Sequence, residues 1–583
     1  MSYRSRTEDR DGLRIDWHVR IRARDGLELL ADVFRPIKPG RYPVIMSYGP
    51  YGKGLAFQQG YKTCWDIMAE QHPDVTANSS NKYQNWEVVD PEKWVPEGYV
   101  CVRVDSRGAG ASPGYMALWS PQEAEDFYDC IEWAGVQDWS NGKVGLNGIS
   151  YYGMNQWQVA ALQPPHLAAM CVWEGASDFY RDLSHHGGIL SDFLKNWYDM
   201  QVKTVQYGLG PDGPRSAVTG EPVCATTRLS DAELEKNREN LSQQALKHAL
   251  DDAYWKARTP DFSKIVTPLL SAANWGGQGL HPRGNFEGFS RSASKDKWLE
   301  VHGIEHWTHF YTDYGRKIQL RFFDYFLKGK KNGWNRQPRV QLQVRHEGRF
   351  VQRFEKDWPL PGTQWKKFYL DNADLSLTSK PAQQSRKAAY RGFSDGLTYV
   401  LAPQAQDIEI TGPIAVRLFA ASASTDADFF LVFRVFAPDF REVVFQGALD
   451  PHTPIGQGWL RASHRKLDPA LSTHYRPYHP HDEQEPLKPG RVYAFDIEIL
   501  PTSIVVPAGH RMALTVRGKD YVYPGPAWRL SNMKNPMTGC GPFTHTDPKD
   551  RPAKVFDQDV SVYTGGERAS YIQLPFIPAK RRS

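Results

Sequence analysis

The sequence predicts an α/β chain followed by an all-β region, and three observations carry that reading. The first third alternates short apolar runs with amphipathic helical stretches, each run ending in Gly-rich punctuation. That alternation is what an open, mainly parallel sheet produces. One strand-to-helix turn, Gly148-Ile149-Ser150-Tyr151-Tyr152-Gly153, sets a serine between glycines, the context of a nucleophile elbow. Beyond Pro338 no amphipathic helix recurs, and β-rich runs punctuated by Gly, Pro and Asp take over, as in a β-sandwich. With 583 residues the chain needs two or three cores.

In chain order, Leu29 to Phe34, Pro43 to Tyr48 and Tyr99 to Val104 read as strands. Gln122 to Ala134 is helical, with Phe127, Ile131 and Ala134 on one face and Glu123, Glu125 and Asp129 on the other. Lys143 to Asn147 is the strand before the elbow, Met154 to Leu162 the helix after it, and Ala168 to Trp173 a further strand. From about 181 to 258 the pattern changes to helix and loop, with Ser230 and Glu233 forming a capping box that opens a long helical stretch through Leu234, Leu241, Ala245, Ala249 and Tyr254. Strands resume at Ile265 to Ala272 and Trp298 to His302, so the insertion reads as a cap over the carboxyl ends of the strands. Gln319 to Leu327 closes the sheet, and Lys328-Gly329-Lys330-Lys331-Asn332-Gly333 leads into a linker. Val340 to Val344, Ile408 to Ile410, Ala415 to Phe419, Phe429 to Val435, Val492 to Ile499 and Arg511 to Val516 are the β-rich runs that follow. The expected division is a core over 1–180 and 259–335, a cap over 181–258 and a β-sandwich over 336–583.

Composition excludes several function classes. A net charge of +5, with no basic block longer than Lys580-Arg581-Arg582, argues against nucleic acid. The polar N-terminus has no signal-like core and no apolar run approaches a membrane span, which sets the expectation of a reduced, cytoplasmic protein with no membrane partner. Cys64, Cys101, Cys130, Cys171, Cys224 and Cys540 show no C-x-x-C spacing, and Cys101 and Cys171 lie in apolar strand runs as packed thiols. The Asn78-Ser79-Ser80 sequon should stay unused in such a protein. His185-His186 and the 302/306/309 histidines fit no zinc pattern, so neither a metal nor a cofactor is expected.

A serine at its free pKa needs a base, an orienter for that base and oxyanion donors. On an elbow of this type the base follows the last strand. His302 still lies in that strand, His306 lies in the loop after Gly303, and His309 is one turn later, which makes His306 the candidate base and His309 the runner-up. The backbone N–H of Tyr151 is one oxyanion donor. The second should come from the loop Met46 to Gly54, where Tyr48 and Tyr51 each carry a phenol.

Pro50-Tyr51-Gly52-Lys53, the loop Asp105 to Gly114, Ile131-Glu132-Trp133 and Trp139 to Gly145 leading into Gly148-Ile149-Ser150-Tyr151 together resemble the X-prolyl dipeptidyl-peptidase and cocaine-esterase superfamily. Arg321-Phe322-Phe323-Asp324, Leu327-Lys328-Gly329, the run Gly456 to Ser463 and Pro507 to Arg511 extend the resemblance over nearly the whole chain. The resemblance implies an α/β-hydrolase core with an inserted helical cap and a C-terminal jelly roll that helps wall the pocket. It also implies a Ser-His-Asp triad and an oxyanion hole that falls on Tyr151 and Tyr51, with Asp105 and Arg107 bracing their loop.

This sequence departs from the family at the acid. The family places an aspartate in a W-Y-D motif after the penultimate strand, whereas Ala273 to His281 has Gly277 there. Strand Ala168 to Trp173 ends in Glu174, which becomes the candidate acid; Asp178 is the weaker choice, and Glu305 adjoins His306 too closely in sequence. The expected activity is serine hydrolysis of a carboxylic ester or amide, with Ser150, His306 and Glu174 catalytic and Tyr51 and Tyr151 forming the oxyanion hole. Ester is preferred because the extra N-terminal domain of X-prolyl peptidases is missing and no acidic cluster could be assigned to a substrate amine. The alternatives are an X-prolyl aminopeptidase, or an impaired pseudo-hydrolase that binds a small molecule. Dimer contacts, if any, are expected on the cap and jelly roll.

Overall fold

The computed structural model describes residues 3–527, 530 and 537–578, so the terminal run Lys580 to Arg582 lies outside the described residues. The first sheet is built from β1 (Arg6–Arg10), β2 (Leu13–Arg22), β3 (Glu28–Pro36), β4 (Tyr42–Gly49), β5 (Val100–Asp105), β6 (Ser140–Ile149) and β7 (Leu167–Trp173). After the two-residue strands β8 (His185–His186) and β9 (Ile189–Leu190) it continues with β10 (Leu269–Asn274), β11 (Lys297–His302), β12 (Val340–His346) and β13 (Arg349–Glu355). The strand order is β1-β2-β3-β5-β4-β6-β7-β10-β11-β12-β13. Pairing is parallel from β5 to β12 and antiparallel at both ends.

The central strands read as unbroken apolar runs because both faces are covered. Val44, Met46, Val100, Val102 and Val104 pack with Phe127 and Ile131 of the helix Pro121–Gly135 on one face. Ile45 and Cys101 join Phe322 and Phe323 of the helix Asp313–Lys328 on the other. All six cysteines are buried, and none is in a disulfide.

The segment between β7 and β10 is helix and loop, as its pattern implies, but the long helix expected from Ser230 onward is three short ones, Asp231–Lys236, Leu241–Lys247 and Ala253–Lys256. The capping box of Ser230 and Glu233 is present. Asn240 and Asp252 then act as further N-caps, accepting from the Gln243 and Tyr254 amides, and these side chains restart the helix instead of extending it. Strands β12 and β13 belong to the region read from sequence as the sandwich, yet they complete the first sheet: β12 pairs parallel with β11.

The C-terminal all-β domain comprises β14 (Gln364–Asp371), β15 (Ser376–Thr378), β16 (Arg386–Arg391), β17 (Leu397–Leu401), β18 (Ile408–Ser422), β19 (Asp428–Phe436), β20 (Gly456–Arg461), β21 (Tyr493–Val506), β22 (Arg511–Arg517), β23 (Asp559–Thr564) and β24 (Tyr571–Ile577). Its core holds Leu418, Phe429, Phe433, Ile497 and Leu514. A loop after β19 reaches back to the first sheet: the Ala448 amide donates to Gly276 O (3.1 Å), and Ala448 O accepts from the His306 amide (3.0 Å).

The elbow depends on two glycines. A Cβ at Gly153 would stand 2.9 Å from Trp173 O and 3.2 Å from Gly148 O, and one at Gly148 would meet the Tyr152 Cβ at 2.4 Å. The helix Tyr151–Ala161 therefore leaves β6 in backbone contact with the ends of β6 and β7. Gly153→Ala is expected to destabilise the fold by about 1–3 kcal/mol, the usual cost of overpacking, measured by urea denaturation.

Candidate active site

Ser150 is the N-cap of the elbow helix at φ 54°, ψ −115°, a conformation that costs about 1–3 kcal/mol for a non-glycine residue. Its amide is held by Trp173 O and Glu174 O, each at 3.1 Å, and its carbonyl receives the Gly153 and Met154 amides. Ser150 lines a narrow pocket together with Tyr51, Tyr61, Trp86, Glu87, Trp197, Leu280, His306 and Leu449 among others. Ser150, His306 and Tyr51 thus share one wall-to-wall space. The positive end of the helix dipole lies at the serine, where negative charge would develop.

His306 follows β11 and is hydrogen-bonded at both ring nitrogens. Glu174 Oε2 is 2.7 Å from Nδ1, and Glu87 Oε1 is 3.0 Å from Nε2. Glu174 sits at the end of β7 with φ 43°, and its other oxygen meets His302 Nε2 at 3.0 Å and the Asn274 amide nitrogen at 3.2 Å. His302 in turn meets Glu300 at 2.7 Å through Nδ1. The result is a buried alternating chain, Glu300–His302–Glu174–His306–Glu87, running from the sheet into the cavity.

Electrostatics follow from that chain. Burial alone would raise the Glu174 carboxyl, but His306 and His302 outweigh it and hold it down at about 2. Burial opposes protonation of His302 and His306, yet Glu300 and Glu174 lift His302 to about 9, and Glu174 and Glu87 lift His306 to about 10. Glu87 is pushed up to about 7 by burial against the pull of His306.

Tyr51 accepts a hydrogen bond from Trp197 Nε1 at 3.0 Å, which leaves its own O–H proton free to donate. Burial pushes its pKa well above the ordinary phenol value, so the proton stays on. Lys53 anchors this loop: its amide donates to Asp105 (2.6 Å) and its ammonium to Asp32 (2.7 Å). Tyr48 is turned away, packed on Phe127 beneath the sheet. Tyr151 is buried and donates its phenol to Glu123 at 2.6 Å, while its backbone opens the elbow helix.

The remaining residues weighed from sequence go elsewhere. His309 contacts Thr312 and Gln343, each at 3.4 Å. Asp178 pairs with Arg181, which also pairs with Asp251. Glu305 accepts from Thr308. Asp105 accepts from the Lys53 and Ala111 amides, and Arg107 pairs with Asp126 and Asp25, so both brace loops. At Gly277 a Cβ would meet Pro282 at 3.2 Å and Asn274 O at 3.4 Å, a tightly packed position.

Two residues escaped the sequence reading. His281 lies in the loop after β10 and brings Nε2 to 3.1 Å from Ser150 Oγ. Its Nδ1 accepts from the Ala176 amide at 3.1 Å, so the ring proton sits on Nε2 and is donated to the serine. Burial and the neighbouring His306 hold His281 well below the ordinary histidine value, and it stays neutral. The two rings stack with centroids 5.1 Å apart. Glu87 comes from the long loop before β5, at φ 63°; a lone acid inside Tyr83-Gln84-Asn85-Trp86-Glu87-Val88-Val89 was the available signal.

Comparison with known proteins agrees with this architecture. Residues 25–311 match the X-Pro dipeptidyl-peptidase (S15 family) model, and residues 332–573 match the X-Pro dipeptidyl-peptidase C-terminal non-catalytic domain. The chain is similar to a solved CocE/NonD family hydrolase from Staphylococcus aureus at 31% identity and a TM-score of 0.83, covering 97% of this chain and 94% of that one. It is 24% identical to the cocaine esterase of a Rhodococcus species over 86% of this chain and 90% of the esterase. It is also 24% identical to a putative serine esterase of Mycobacterium tuberculosis, over 95% of this chain and 94% of that protein. Among the described residues no helix is long and apolar enough to cross a membrane.

Proposed function

Because this chain belongs to the S15 family of X-Pro dipeptidyl-peptidases and related CocE/NonD serine hydrolases, we propose that it hydrolyses carboxylic esters through an acyl-enzyme on Ser150. His306 takes the Ser150 proton on Nε2 as Oγ attacks the carbonyl carbon, and Glu174 on Nδ1 steadies the imidazolium. The Tyr51 hydroxyl and the Tyr151 amide bind the oxyanion. Collapse expels the leaving group, which takes the proton back from His306. Water then gives a proton to His306 and attacks the acyl carbon, and the C–Oγ bond breaks as Ser150 Oγ takes that proton back and the acid is released. The observation that carries this reading is the 2.7 Å contact between Glu174 and His306 Nδ1, beside an elbow serine lining the same cavity. Glu174 on His306 Nδ1 offers a carboxylate in place of the missing W-Y-D aspartate, which argues against a binding-only protein. Ester is preferred to peptide because the cavity is walled by aromatic rings and because two relatives covering most of the chain are named esterases.

A second assignment of the base is favoured by one observation, the 3.1 Å contact of His281 Nε2 with Ser150 Oγ. The Ala176 amide on Nδ1 argues against it: a ring whose lone pair is occupied there has none left for the serine proton. Steady-state hydrolysis of a p-nitrophenyl ester separates the two. His306→Ala is expected to lower kcat by about 10⁴ or more, and His281→Ala by far less; the reverse ranking sinks the His306 assignment. Tyr51→Phe is expected to lower kcat by about 10²–10³ with KM little changed, the signature of one lost oxyanion donor.

A further inference from the structure

Glu87 is placed with more care than a loop carboxylate requires. Its carbonyl accepts from the Ile149 amide next to the elbow (3.0 Å), and its loop is stapled by Arg103 to Tyr83 O and to Val89 O (2.7 Å). Asn85 adds a bond to Lys53 O (2.6 Å) and receives the Tyr311 hydroxyl on its carbonyl (2.9 Å). Its backbone is held at φ 63°, where L-residues are strained. All of this delivers one buried carboxylate to Nε2 of His306, inside the cavity that holds Ser150.

In this arrangement nucleophile and base are each paired elsewhere. Ser150 Oγ accepts from His281, and His306 Nε2 is bonded to Glu87. Whether the shared proton lies on the imidazole or on the carboxyl, the Nε2 lone pair is not open to the serine. Resting on the assignment of His306 as base, we propose that Glu87 is a positioning residue that holds His306 in a resting pairing, and that Glu87 must release Nε2 to Ser150 for turnover.

A carboxylate on Nε2 favours the imidazolium, so the pair titrates as a unit and governs how much free base exists at a given pH. Other ionisable groups face it from every side. Glu174 lies behind the ring, His302 beyond Glu174, and His281 on the ring face. The phenols of Tyr51, Tyr61, Tyr152 and Tyr311 are all pushed up by burial and stay protonated, and His281 stays neutral. Arg103 on β5 and the Cys64 thiol complete the surroundings. Glu123, raised by burial to about 7 behind Tyr151, and Asp105, raised by burial to about 6 beneath the Tyr51 loop, also titrate in this range, so only a limb that moves on changing Glu87 is traced to the Glu87–His306 pair.

The test is the pH profile of kcat/KM for an activated ester, wild type against Glu87→Gln, which keeps the shape and removes the charge. Without that charge His306 loses its proton at lower pH. The acid limb should move toward acid by one pH unit or more, raising kcat/KM about tenfold or more on the acid side of the wild-type limb. A limb that stays put or moves toward alkali, in a folded variant, overturns the proposal. If Glu87→Gln does not fold, ¹⁵N-histidine NMR of the wild type decides: an Nε2 resonance that stays imidazolium-like beyond pH 8 supports the resting pair, and titration near pH 6.5 overturns it. An active His306→Ala variant would instead bring down the base assignment itself, a result separable from an unmoved limb.

Discussion

Ser150→Ala should abolish fluorophosphonate labelling and lower ester turnover by about 10⁶, the loss seen when a serine nucleophile is removed from a triad. The size follows from the geometry. Oγ stands at the positive end of the elbow helix in the pocket it shares with Tyr51, so a carbonyl attacked by Oγ is the one whose oxyanion the proposed donors would meet, and an acyl group carried by His281 or His306 would sit away from that helix end. Labelling mapped by peptide mass spectrometry checks the site, and label retained at another serine would remove Ser150 from the mechanism. A companion variant separates chemistry from strain. Ser150→Gly suits φ 54° without penalty, so it should be as inactive as alanine yet more stable by about 1 kcal/mol or more in thermal melts.

Glu174→Gln should damage turnover less than loss of the serine and be far worse for the fold. Glu174 touches both His306 and His302, so an amide there leaves two buried imidazoles short of one negative charge. Breaking a buried pair in this way costs about 3–5 kcal/mol, and a triad acid turned to amide costs about 10⁴ in kcat. The sign of the pH effect is set by the depressed carboxyl. With a folded pKa of about 2 against an ordinary value of 4.5, its contribution is complete above the unfolded value and is lost as pH falls from there through about 2. The histidines act in the other direction: raised to about 9 and 10, they stabilise fully below pH 6.5 and lose that contribution as pH climbs through those values. Denaturant midpoints from pH 2 to 10 should show both flanks in the wild type and a shallower acid flank in Glu174→Gln. A variant matching wild-type turnover would move the acid to another residue.

The regular elements were legible because their physics is local. Parallel strands such as Tyr42–Gly49, buried on both faces, leave apolar runs that end in glycine, and the Gly-x-Ser turn can be read because a Cβ at Gly148 or Gly153 has no room. His306 could be singled out from its place after the last catalytic strand, and Glu174 from its place at the end of β7. Glu87 and His281 were not legible, since each is aimed by partners distant in sequence: Arg103, Tyr311 and Ile149 for one, the Ala176 amide for the other. The broken cap helices were missed for a different reason. Their apolar spacing persists across Asn240 and Asp252, whose side chains bond the backbone and restart the turn. Strands β12 and β13 carry a β signal like that of the sandwich strands, and nothing in their composition says which sheet they join.

That shared sheet makes the chain poorly modular. A breakpoint between 328 and 339, the place where a domain shuffler or a protease would aim, strips β12 and β13 from β11 and exposes an edge with unpaired amides and carbonyls. It also takes away Ala448, whose carbonyl holds the His306 amide. Exchange of the β-domain between relatives would have to join the chains beyond residue 355 and still return a carbonyl to that histidine.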